Sequence, residues 1–248
     1  MKRPYQDERQ PLKLSGVRKW HDRRRSCRFF SIFPGLKELI GLYKDLDEEA
    51  SRFKKAAALD CLKFCKKCCT PDKAQIEASV FECLPLSIHL WKRGKAESYL
   101  QRIASDGEKN LCVLYRADHS PSPASGCKHY PWRPLLCRLF GFSAVLDKHG
   151  HPRIALCRTI KDADPQAEDR INQKIARELR PMIIPHWARQ ASSLNPHLGQ
   201  ERHPINQAVR LALERLGLQL HLFQNGGEKG RGAGQEDSKE NPFENRSY

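Results

Sequence analysis

Nowhere in the 248 residues is there an apolar run long enough to cross a bilayer, so no membrane-spanning helix is expected. The opening residues, Met1 to Glu8, contain no apolar stretch of the kind a secretory signal needs. The expected setting is therefore the reducing cytoplasm, where structural disulfides are rare. Glycine-rich phosphate loops are missing as well. Gly226-Gly227 and the glycines between Gly230 and Gly234 fall in a polar tail and read as linker. Apolar residues are scarce, 39% against 29% charged, which suits a modest core with disordered ends. Ten cysteines are too few for a disulfide scaffold of this length, so their arrangement must mean something else.

Four of those thiols lie within nine residues, in Cys61-Leu62-Lys63-Phe64-Cys65-Lys66-Lys67-Cys68-Cys69. A buried structural cysteine behaves as a small hydrophobe and usually occurs singly. Here lysines and a following Thr70-Pro71 make the segment polar and turning. Thiols spaced by two or three residues can point at one metal. Cys112, Cys127, Cys137 and Cys157 add to Cys61, Cys65, Cys68 and Cys69, each near a turn or strand end. Eight thiols exceed the four that one tetrahedral zinc takes. Either some are spare, or a second metal or an iron–sulfur cluster is bound.

Basic residues stand beside the thiols and would lower their pKa values. Arg138 reads as a residue that orients the metal-binding thiols from behind, with Arg133 in the same role or stacked on Trp132. Pro134 disfavours helix at Arg133 and lets the chain turn Cys137 inward. Cys83 falls in an apolar helical pattern and reads as a packed thiol, while Cys27 has no partner in sequence. Among the histidines, His129 stands out because it follows Cys127 by two residues.

The net charge of +15 is unevenly spread. Ten basic and three acidic residues between Met1 and Phe30 give that short leader +7. A basic arm of this kind could hold an acidic or nucleic-acid partner through its phosphates, although no recognition motif follows it. A solvated, flexible terminus is the simpler reading.

The pattern predicts a basic flexible leader over 1–32, one α-rich domain over 33–224 with a cysteine core at about 58–160, and a disordered tail over 225–248. Leu36, Leu39, Ile40, Tyr43, Leu46 and Ala50 recur at helical steps, and Phe53 and Ala56 to Leu59 continue them as one long helix that delivers Cys61, a break near Asp45 to Asp47 being the alternative. A second helical region is expected over 73–104, with Pro85 opening a new helix. Leu111 to Tyr115 reads as a short strand. Residues 142–146 and 153–157 read as a hairpin joined by Lys148-His149-Gly150-His151, with Cys157 closing its second strand. Helices are expected from Pro165 toward Pro181 and from Pro204 to Leu220. The fold class is mainly α with a short β-hairpin and a small cysteine-rich metal centre held between helices.

Cys65-Lys66-Lys67-Cys68-Cys69, Cys112, the run from Cys127 through Tyr130, Arg133-Pro134 and Cys137-Arg138 to Phe140, and Cys157-Arg158 together resemble a known family. This is the YkgJ-type cysteine-cluster family, named for a CxxCxxCC signature and described as chelating zinc or iron. One departure is that three residues, not two, separate Cys61 from Cys65. The resemblance covers about residues 58 to 160 and implies a bound metal ion. Because the family includes a flagellin lysine N-methylase, it also implies methyl transfer as one activity, beside iron–sulfur redox chemistry. The reading from another class is a structural zinc module whose basic arm binds nucleic acid or an acidic protein.

Overall fold

The computed structural model describes residues 26–59, 69, 76–106, 111–116 and 126–226. Within them the protein is mainly helical, with three small antiparallel strand pairs. The leader expected over 1–32 ends in a helix, α1 (Ser26–Ile32), and its residues 1–25 lie outside the described residues, as do 227–248 of the tail.

Helix α2 (Leu36–Ala57) follows from its stripe of Leu36, Leu39, Tyr43, Leu46, Ala50, Phe53 and Ala57, all buried. The long helix expected here is continuous, with no break at Asp45 to Asp47. The stripe passes from Tyr43 to Leu46 to Ala50 without losing phase, and Asp47 is held by Arg138. Gly35 starts the helix at φ 82°, and a Cβ there would lie 2.3 Å from the Leu194 carbonyl oxygen. Gly35→Ala is expected to cost about 2–3 kcal/mol and lower the melting temperature by roughly 5–10 °C. Gly150→Ala has the same φ of 82° but open space around its Cβ, so it isolates strain from collision. Equal losses in the two variants would mean that the Leu194 contact contributes nothing.

After β1 (Glu77–Ser79) comes α3 (Val80–Lys92), the centre of the core, with every residue from Phe81 to Ile88 buried. Pro85 does not open this helix but sits inside it. Ser79 and Glu82 form a capping box that starts the helix six residues earlier, and this outweighs the one backbone bond that proline forfeits. Gly94, at φ 64°, separates α3 from α4 (Ala96–Asp106).

The expected strand at 111–115 is mostly turn, because Val113 and Leu114 are buried by a bend; only Tyr115–Arg116 (β2) pairs, with Gly126–Cys127 (β3). A 3-10 turn at Tyr130–Trp132 leads to α5 (Leu135–Leu139). The hairpin is present as β4 (Phe142–Leu146) and β5 (Pro152–Leu156). Cys157 does not close that strand but caps α6 (Arg158–Ala163). The helix expected from Pro165 begins later, as α7 (Ala167–Arg177), and α8 (Ile184–Leu194) was not expected. Short α9 (Pro196–Gly199) and β6 (Arg202–Pro204) precede α10 (Ile205–Gly226), which extends beyond the expected Leu220.

Helix α10 packs along α3, where the Trp91 indole N–H donates to the Leu213 carbonyl at 3.1 Å. Strand β6 pairs with β1, so the C-terminal part closes over the start of α3. Helix α2 covers another side of α3 and also meets α5 and α8. The Glu82 carboxylate, almost fully buried, ties three elements together. It accepts from the Ser79 hydroxyl at 3.2 Å, the Leu135 N–H at 3.1 Å and the Arg202 guanidinium at 2.9 Å. Among the described residues, no helix is long and apolar enough to cross a membrane.

Candidate metal centre

Cys69 is the one described residue of the segment 60–75; Cys61, Cys65 and Cys68 lie outside the described residues. The Cys69 carbonyl accepts the Cys112 N–H at 3.1 Å, so Cys69 lies beside the turn that carries Cys112. That turn is gripped from both sides by one amide. Asn206 of α10, only 4% exposed, accepts the Val113 N–H at 2.8 Å through Oδ1. Its Nδ2 donates to the Leu111 carbonyl at 3.2 Å.

From there the chain reaches Cys127 in one step of the β2–β3 ladder, where Tyr115 stands opposite Cys127. The Lys128 N–H donates to the Leu114 carbonyl at 2.8 Å and locks that register. Cys69, Cys112 and Cys127 thus sit on three adjacent pieces of chain. Each is half-buried, and Cys112 and Cys127 rest against the core. Both lie close enough to Tyr99 of α4 that charge on either thiol would raise its pKa, which burial already pushes up.

Behind these thiols lies a stacked aromatic group. The Tyr99 hydroxyl and His129 Nε2 share a 2.7 Å hydrogen bond. His89 of α3 meets His129 edge-on at 5.3 Å and stacks on Trp132 at 4.9 Å. Burial pushes the His129 pKa down to about 4, and neighbouring Lys128, Arg93 and Lys95 add to the effect. His89 is likewise lowered to about 4, by burial first and by His129 second. Both imidazoles are therefore neutral near pH 7.

Cys137 lies in α5, and Cys157 stands between β5 and α6. Gly141, at φ 95°, lets the α5–β4 turn lie against Cys157; a Cβ there would stand 3.6 Å from its sulfur. Tyr43, fully enclosed, is close to both the Cys83 and the Cys137 thiols. Burial is the main reason its pKa is raised well above the usual value. Cys83 is itself buried in the core, as its apolar setting predicts, and burial pushes its thiol pKa up. An inert packed thiol is its role.

The arginines singled out from sequence do structural work on the backbone. Arg138 is buried with its guanidinium over the Tyr43 ring. It donates to the Arg133 carbonyl at 2.8 Å, to the Pro131 carbonyl and to the Asp47 carboxylate. Arg133 lies flat on Tyr130, not Trp132, at 3.3 Å from the ring centre, and its Nη1 donates to the Cys137 carbonyl at 3.3 Å. Together they fix the loop 130–137 that ends on Cys137. Among the described residues, no group of three or more His, Cys, Asp or Glu side chains is set to hold a metal.

Residues 60–170 match the CxxCxxCC family model. The model is described as "Putative zinc- or iron-chelating domain". No curated protein and no solved structure matches the chain. The CxxCxxCC segment contains all eight expected thiols, from Cys61 to Cys157. Zinc or iron chelation is the function that this match supports. Part of the segment's support comes from outside it: Tyr43 and Asp47 from α2, and Asn206 from α10. Asn206 was missed in the sequence, although it stands one turn from Val209 and two from Leu213 on an otherwise apolar face. A buried amide at such a position was the available signal.

Proposed function

We propose that Cys61, Cys65, Cys68, Cys69, Cys112 and Cys127 hold a zinc or iron centre against α4 and the β2–β3 pair. Cys137 and Cys157 extend the donor set toward a second metal or an iron–sulfur cluster. The observation that supports this most directly is the Cys112 N–H bond to the Cys69 carbonyl at 3.1 Å, within the matched segment. It brings together stretches that are 43 residues apart in the sequence. The residue type also suits the chemistry, since thiolate sulfur is a donor for both zinc and iron–sulfur centres. Zinc held there would act as a structural crosslink, and an iron–sulfur cluster would carry single electrons.

Metal analysis of protein purified without oxygen tests the assignment. Zinc or iron near stoichiometric amounts is expected, and a brown colour with visible absorbance would select the cluster. Protein that holds neither metal would sink the proposal. The single substitutions Cys68→Ser and Cys112→Ser are expected to abolish metal retention, because each removes a thiolate. Cys27→Ser and Cys83→Ser are expected to leave metal per protein unchanged. Burying a hydroxyl in place of the Cys83 thiol is expected to cost about 1–3 kcal/mol in stability. Equal metal loss in all four proteins would move Cys83 into the ligand set.

A further inference from the structure

The turn between α3 and α4 puts Arg93 and Lys95 on the surface beside His89 and His129. Lys128, exposed, precedes His129 directly, and the Arg102 guanidinium lies 5.5 Å from the Tyr99 ring centre. Three elements therefore converge on the Tyr99–His129 pair, and each brings a cation to its rim. Arg93, Lys95, Arg102 and Lys128 make no ion pair among the described residues. Glu97 is the single carboxylate between Lys92 and Arg102. Arg170 of α7 pairs with Asp164 at 2.7 Å, whereas none of these four pairs with a carboxylate among the described residues.

We propose that this rim binds single-stranded nucleic acid, with Arg93, Lys95, Arg102 and Lys128 holding successive phosphates beside the cysteine centre. The cations come from three separate elements, the α3–α4 turn, α4 and the residue after β3, which fits a chain of phosphates better than one small anion. Tyr130, two residues beyond Lys128, is 49% exposed and carries the Arg133 guanidinium flat on its ring. Such a pair offers a planar cationic face on which a base can stack, which an acidic peptide would not use. The rim is made entirely of described residues and does not depend on which metal is bound.

The test uses the full chain as purified with its metal, and a labelled single strand of roughly 16 nucleotides read by fluorescence anisotropy. Reversing three rim charges, Arg93→Glu, Lys95→Glu and Lys128→Glu, is expected to weaken binding at least about tenfold near physiological salt. The slope of log affinity against log salt is expected to fall by about 2, at ~0.7 per lost phosphate contact. An equal reversal on exposed residues of α2, Lys37→Glu, Lys44→Glu and Arg52→Glu, is expected to change affinity less than about threefold. Gln at the same three rim positions, checked for unchanged metal content, gives a milder loss in the same direction and guards against misfolding. Three results would each overturn the proposal. One is no binding by the unaltered protein, another is equal losses from rim and α2 reversals, and the third is displacement by polyglutamate as effective as displacement by unlabelled strand.

Discussion

Removing the metal with a chelator is expected to lower the melting temperature by about 10–20 °C. The turn at 111–116 places Val113 and Leu114 in the core, and the proposed centre lies beside it. Metal binding at such a site is folding energy, worth about 10–16 kcal/mol in small zinc peptides. If even ~5 kcal/mol of that reaches the folded protein, at 2–4 °C per kcal/mol for a chain of this size, the shift is that large. The helices α2, α3 and α10 bury their own stripes and are expected to persist, so far-ultraviolet circular dichroism should change less than the melting point. Calorimetry before and after metal removal gives the answer. A protein stripped of metal yet melting at the same temperature would show that the centre bears no structural load.

Replacing Arg138 with Met is expected to do the converse, destabilising the protein while leaving its metal in place. The guanidinium is buried, and its loss strands the Pro131 and Arg133 carbonyls as well as Asp47. Breaking a buried pair costs about 3–5 kcal/mol, and the lower end applies because Asp47 is 40% exposed. The melting temperature is then expected to fall by roughly 6–12 °C. A residue that oriented metal-bound thiols directly would instead change metal affinity when removed. Competition with a coloured chelator, run beside the melt, separates the two roles. Weaker metal with unchanged melting would return Arg138 to the function expected from its place beside Cys137.

The elements most legible in the sequence were those with an unbroken apolar period. Helix α2 and helix α10 announce themselves through stripes such as Leu36, Leu39, Tyr43 and Leu46, and the hairpin through its turn at His149-Gly150. Pro85 misled because a rule about one residue was applied without the stronger capping box three and six residues before it. The turn at Cys112 was misread as strand because Val113 and Leu114 look alike in either state; only a side chain from α10 decides between them. Helix α8 begins with Ile184-Pro185 and lacks an acidic first turn, so little marks its start. For the site, the spacing of the thiols points to the zinc or iron chelation that the matched family model describes. The roles of Arg138 and Asn206 were not, because each bonds residues remote in sequence.

That remoteness carries a consequence for the order of events during synthesis. Asn206 meets Val113 across 93 residues of chain, and β6 meets β1 across a still longer span, Ala78 facing His203. A polypeptide leaves the ribosome from its N-terminus, so all ten cysteines emerge well before the amide that clamps one of them. While α10 is still being made, thiols are present in quantity without the geometry to discriminate between metals. The growing chain would then bind by softness and availability alone, following the general order of affinities for divalent ions. If the thiols hold a metal as proposed, the geometry around Cys112 that would discriminate between ions is complete only once α10 has clamped that turn.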